Sequence, residues 1–336
     1  KQSGNTDTPQ TTLAITNSTL DITWMFRAPS ASGMAPMIRI GQGGLMRRVT
    51  STQAGGVYFD HNLDVRVEDG GCIEVGTPQN LYLRGNAKGD LVLANGGGIK
   101  VHRFLAQNGS TAAAVAFDGG YAQFTLNGGI STVVNPAITC FRADAGGGEL
   151  ITAAGVTHTL AIPLRGTGRF TKAGAGTLVF TNDLTVSMVD NLPVYSELAS
   201  STVKIANGGG FEVAEGTVKC VAGTTDAASR FSGVGTLAGS FGILTLDVDA
   251  EATDGLTFAD LTATQVVADF GRERDDPVPS GGSAVVAKIG AGASFTGMAW
   301  RAKNLGADRA ADFVCDANGV VTAHFRNIAG LIIYMR

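Results

Sequence analysis

The chain has 336 residues, 44% of them hydrophobic and 16% charged, with a formal net charge of −4. That apolar content excludes intrinsic disorder, the absence of a basic cluster beyond Arg47–Arg48 excludes a nucleic-acid footprint, and no apolar run reaches the roughly eighteen residues of a membrane-spanning helix. Glycine stands at 47 residues with no three-residue period and proline at only 9, a composition for closely spaced strands and tight turns in two domains or one elongated one.

The first residues, KQSGNTDTPQ, carry neither an initiator Met nor a signal peptide and read as the start of a mature or trimmed segment. Residues 1–60 hold Trp24 and the Met-rich stretch SGMAPM (32–37) with little repetition, and are expected to form a strand-rich cap or the start of the repeats. Along the whole chain period-two alternation dominates and helical spacing is almost absent. Leu20, Ile22 and Trp24 alternate, as do Leu63, Val65 and Val67, then Leu81 and Leu83, then Leu91 and Leu93. Further on, Leu244, Leu246 and Val248 alternate, with Thr245, Asp247 and Asp249 facing the other way. Each run is short and bounded by Gly, Asn or Asp, as strands are.

The runs also resemble one another. VEDGGCIEV (67–75), LANGGGIKV (93–101), DAGGGELIT (144–152) and IANGGGFEV (205–213) share a glycine step followed by an apolar–charged–apolar triplet, and the first two start 26 residues apart. Self-similarity at that period points to a solenoid, whose single coil cannot bury its own apolar face but whose stacked coils share one core.

Residues 166–183, GTGRFTKAGAGTLVFTND, do not fit a dinucleotide loop, because Gly176 leads into a strand pattern rather than a helix; GVGTLAG (233–239) has the wrong spacing. The stretch resembles the passenger-associated strand repeat of bacterial autotransporters through Gly166, Gly168, Phe170, Thr171, Lys172, Gly174, Gly176, Thr177 and Leu178. FEVAEGTVKC (211–220) resembles the strand unit that often comes after it, and GVGTLAGSFGILTLD (233–247) looks like a degenerate further copy. The resemblance implies a right-handed parallel β-helix on an exported bacterial protein and no particular activity. The alternating strands of an outer-membrane barrel, which many members carry at the C-terminus, are absent from this chain.

The expected fold is therefore all-β: a right-handed parallel β-helix (β-solenoid) with an atypical N-terminal portion, repeats over 61–270, a charged loop at 271–282 and C-terminal strands and cap over 283–336. The apolar run LIIYM (331–335) reads as a last strand, a cap or an interface.

Chemistry-bearing residues are sparse. Asp247, Asp249 and Glu251 at i, i+2 and i+4 share a face if the strand continues, and form a calcium candidate against the plainer reading of a solvated strand face. Arg272, Asp275 and Asp276 belong to a five-charge run that either flanks a sugar or neutralises itself in an exposed loop. Trp24 and Trp300 are the candidate sugar platforms, set against burial in apolar surroundings. His61, His102, His158 and His324 are scattered, with His158 in an alternating strand as a stacked or surface side chain. Cys72, Cys140, Cys220 and Cys315 lie in strand-like runs without metal-ligand spacing and read as buried thiols, although an even number permits disulfides. No serine nucleophile motif is present, and no cofactor beyond the calcium candidate is expected.

The functional reading is a non-catalytic exported surface protein, either an adhesin-like passenger for glycans or a host surface or a structural scaffold. The alternatives are a polysaccharide-acting enzyme using the 247–251 and 272–276 carboxylates, and a filament or surface layer assembled through the terminal strands.

Overall fold

The computed structural model describes residues 12–22, 26–28, 37–48, 56–59, 64–76, 80–83, 91–101, 104–106, 113–125, 138–160, 163–181, 184–189, 192–197, 209–225 and 229–328. Their regular structure is all strand apart from one 3-10 turn, Phe295–Gly297. None of the described residues forms a helix long and apolar enough to cross a membrane.

Successive strands are dealt in turn to parallel ladders. Thr12–Ile15, Met37–Ile40, Asp64–Val67, Leu91–Ala94, Ala113–Asp118, Ile138–Ala143 and Leu164–Gly166 form the first. The second runs from Thr19–Ile22 through Leu45–Arg48, Cys72–Val75, Gly98–Val101, Gly120–Phe124, Gly148–Thr152, Phe170–Ala173 and Phe211–Val213 to Arg230–Gly233. The third strands of the early rounds, Phe26–Ala28, Gly56–Phe59, Asn80–Leu83 and Phe104–Ala106, form a ladder of their own. At the same point in later rounds, Thr157–Leu160, Thr177–Phe180 and Thr217–Cys220 form another.

Register explains the alternation. Met46, Ile73, Ile99, Ala122 and Leu150 stand in one column of the second ladder, each fully buried on the residue before it. Phe170, Phe211 and Phe231 form a second buried column, of rings, two positions before this one, the last two with centroids 6.1 Å apart; the first column passes from Leu150 to Lys172 and Val213. One position further along the strands the side chains face outward, and Asp21, Arg47, Glu74 and Lys100 align with alternating charge. Arg47 Nε donates to Asp21 Oδ1 at 2.8 Å, 26 residues back in the chain.

The repeated glycine step turns the chain from the first ladder to the second. Asn95 and Gly96 both have positive φ (47° and 75°), as do Asp69 and Gly70 one round earlier, and Asn95 Nδ2 donates to Asp69 Oδ1 at 3.4 Å. Gly97 sits against the preceding round, where a Cβ would lie 2.1 Å from the Val67 carbonyl oxygen. One glycine thus serves conformation and the next serves contact between stacked backbones.

Two long strands tie the ladders together. Thr236–Asp247 pairs with Thr217–Cys220 through its first residues and with Arg230–Phe231 near its end, bending at Gly239 (φ 121°) between them. Leu256–Arg272 lies parallel beside it, then divides its pairing between Ser283–Ile289 and Ala299–Leu305. Here the direction changes: Ser283–Ile289, Val320–Asn327 and Arg309–Cys315 pair antiparallel. A separate antiparallel hairpin, Leu184–Val189 with Leu192–Glu197, interrupts the middle of the stack.

Trp24, His61, His102, residues 32–36 and the run 331–335 lie outside the described residues.

Candidate functional site: a polar trough along the second ladder

The second ladder places outward side chains in columns beside its buried ring column. Thr171, Glu212 and Ser232 align in one column, and Asp247, Asp269 and Lys303 align across the long strands. Arg230 stands between the two carboxylates. Its Nε donates to Asp247 Oδ1 at 2.6 Å, and its Nη2 lies 3.3 Å from Asp269 Oδ2.

Asp269 is the buried member, with 1% of its side chain exposed. Its Oδ1 accepts from the Gly271 amide at 3.0 Å and from Asn304 Nδ2 at 2.7 Å. Its Oδ2 receives no hydrogen bond and is held by charge alone, with Lys303 Nζ 3.8 Å away beside Arg230. Arg169 completes the cationic side: its Nη1 donates to Ser232 Oγ at 3.5 Å, and its Nη2 lies 4.0 Å from Asp247 Oδ2.

Arg169, Glu212, Arg230, Ser232, Asp247 and Asp269 line a cleft of about 540 Å³ whose walls include Phe231, Leu246, Phe270 and Val285. Arg169 also borders a 350 Å³ concavity over Gly119–Gly120 and Ala145–Glu149. At the other side, Asp249, Phe270 and Gly271 border a 480 Å³ concavity that reaches Arg272, Glu273 and Asp276. The three are therefore neighbours.

The chain matches no family model, no curated protein and no solved structure. Its own geometry carries the functional argument.

Of the candidates named from the sequence, Asp249, Arg272 and Asp276 border one concavity, while Trp300 borders none of the three. The calcium geometry needed one continuous strand face, but the strand ends at Asp247 and the chain turns at Ala250–Glu251. Asp247 is committed to Arg230, while Asp249 Oδ1 accepts from the Glu251 amide at 2.9 Å. Among the described residues, no group of three or more His, Cys, Asp or Glu side chains is placed to hold a metal ion. Arg272 pairs with Asp276 at 2.9 Å four residues on, and Asp275 is exposed in the same turn. Trp300 is half-buried. Its ring stacks on Phe295 and Phe258 at 5.4 and 6.1 Å, and its Nε1 donates to the Phe295 carbonyl at 3.1 Å, so it packs within an aromatic cluster rather than standing out as a sugar platform. His158 is buried and stacked on Phe124 at 4.0 Å. The four cysteines are not joined in disulfides; Cys140 and Cys220 are buried, Cys72 and Cys315 partly exposed. Burial pushes the Cys220 thiol up to about 12.

Arg169, Arg230, Asp269 and Lys303 were not singled out from the sequence. They lie up to 134 positions apart and meet only through register. The one local signal is the Asp of VVADFGR (266–272), a carboxylate inside an apolar run.

Lys172, within residues 166–183, serves the backbone. It stands after Leu150 in the buried column, and its Nζ donates to the carbonyls of Ala173 (2.8 Å), Gly174 and Glu215 (3.1 Å). Burial lowers its pKa to about 8, against a smaller opposing effect of Glu215. The lysine of the repeat is thus a plug for turn carbonyls of two rounds.

Proposed function

We propose that this chain is a right-handed parallel β-solenoid from an exported bacterial surface protein, acting as a non-catalytic scaffold that binds along its length. One observation supports this most. The stretch that resembles the autotransporter passenger repeat supplies one strand to each of three parallel ladders in turn, Leu164–Gly166, Phe170–Ala173 and Thr177–Phe180. One repeat is then one coil, and stacked coils make a stiff rod with a long surface. A binding role is favoured over catalysis because each of the five carboxylates lining the main cleft already has a partner: Asp247 and Asp269 pair with Arg230, Asp254 pairs with Lys288, Glu212 accepts from Thr171 Oγ1 and Asp249 accepts from the Glu251 amide. A glycosidase needs one carboxyl group free to give up a proton and another free to attack or to activate water.

The test is shape together with turnover. Small-angle scattering of the purified chain should show a rod, and light scattering a mass near 34.4 kDa. Incubation with polysaccharides should release no new reducing ends. A compact particle would overturn the solenoid, and turnover lost on Asp275→Asn with Asp276→Asn would move the reading to an enzyme. A much larger mass would favour assembly through the ends.

A further inference from the structure

We infer that the three neighbouring concavities of the second ladder form one binding trough for a linear, uncharged polysaccharide laid parallel to the stacking direction. The inference deepens the proposed binding role and rests on it.

Length is the first argument. The trough spans the adjacent strands from Gly120–Phe124 to Leu256–Arg272, seven in all. Neighbouring strands lie about 4.8 Å apart, so the run is on the order of 30 Å. That suits an extended polymer and exceeds any small molecule. The lining is the second argument. Thr171 and Ser232 bring hydroxyls, Arg169 and Arg230 bring fixed donors, and Glu212 and Asp247 bring acceptors, all in neighbouring rungs. A sugar hydroxyl both donates and accepts, so it pairs with each of these groups.

Charge and backbone select among polymers. Acidic side chains outnumber basic ones in the lining of the three concavities, which opposes a uronate or sulfated chain. Strand addition by a peptide is excluded inside the trough, because the strands of this run pair with neighbours on both sides.

Affinity electrophoresis of the purified chain in gels containing galactomannan, arabinoxylan or mixed-linkage β-glucan tests this, with polygalacturonate as the anionic counter-probe. Retardation by at least one neutral polymer is expected. Val234 lines the cleft and is 55% exposed, so Val234→Arg blocks the trough without touching the core and should weaken retention about tenfold. Arg169→Gln, at the junction of two concavities, should weaken it several-fold, and Arg326→Gln, on the antiparallel strands, should leave it unchanged. No retardation by any neutral polymer, retardation untouched by both trough variants, or preference for polygalacturonate would each overturn the trough. A rod without turnover that also ignores all four polymers would leave the scaffold standing and remove only this site. A chain that is not a rod would fail the scaffold reading by itself.

Discussion

Lys172 shows how one side chain links a repeat motif to the stack. Its ammonium group serves three carbonyls from two rounds. Lys172→Met keeps the apolar stem and strands those carbonyls, and should cost about 2–4 kcal/mol by urea denaturation. The pH dependence has a defined sign. The folded group titrates near 8 against an ordinary value of 10.5, so between these values the unfolded chain binds more protons. The contribution of this group therefore rises with pH from about 8 to 10.5 and is flat below that window. Urea midpoints at pH 7, 9 and 10 should show wild type gaining on Lys172→Met across the upper two, and an equal gap at all three would refute the assignment. Arg230 offers a second case. Arg230→Met removes the nearest cation from the buried Asp269 carboxylate and should destabilise by about 2–3 kcal/mol, a little under a fully buried pair because 38% of the arginine is exposed.

At the scale of the element, the glycine step separates two physical demands. Gly96 has room for a Cβ, its nearest neighbour being the Gly70 nitrogen at 4.0 Å, but its φ is 75°. Gly97 meets the Val67 carbonyl at 2.1 Å. Gly96→Ala should cost about 1–2 kcal/mol of backbone strain. Gly97→Ala must push two stacked rounds apart and should cost more, about 3 kcal/mol or above. Thermal melts of the two variants check the order, and the reverse order would show that strain rather than contact dominates. This distinction was not legible in the sequence, where the two glycines of LANGGGIKV look alike. The alternation of Leu91 and Leu93, by contrast, was legible, because period two is a property of the strand itself. The shared strand face read for Asp247, Asp249 and Glu251 stops at Asp247 for the complementary reason. Alternation says which face a residue takes while the strand lasts, and tertiary pairing decides where the strand stops.

At the scale of the whole molecule, parallel stacking makes stability a matter of neighbours and ends. The described end is closed by Trp300 with Phe258, Phe295 and Phe313 around it, and beyond it the pairing switches to antiparallel. Removing that ring by Trp300→Ala should cost about 3 kcal/mol. Hydrogen exchange should then speed up first in residues 283–328 and leave the column around Ile73 and Ile99 protected. Uniform acceleration along the chain would mean that the stack unfolds as one unit and that the ring is no local cap.

The sequence by itself determined the all-strand character, the approximate 26-residue spacing of the first glycine steps and the alternation of inward and outward residues, because alternation and glycine punctuation are local. Only the tertiary structure decided which outward residues meet. Arg169, Arg230, Asp269 and Lys303 come from different rounds, and inserted segments such as the hairpin at 184–197 shift their spacing irregularly. Register between stacked strands, not distance along the chain, sets those contacts, and a one-residue slip would turn each of them to the other face.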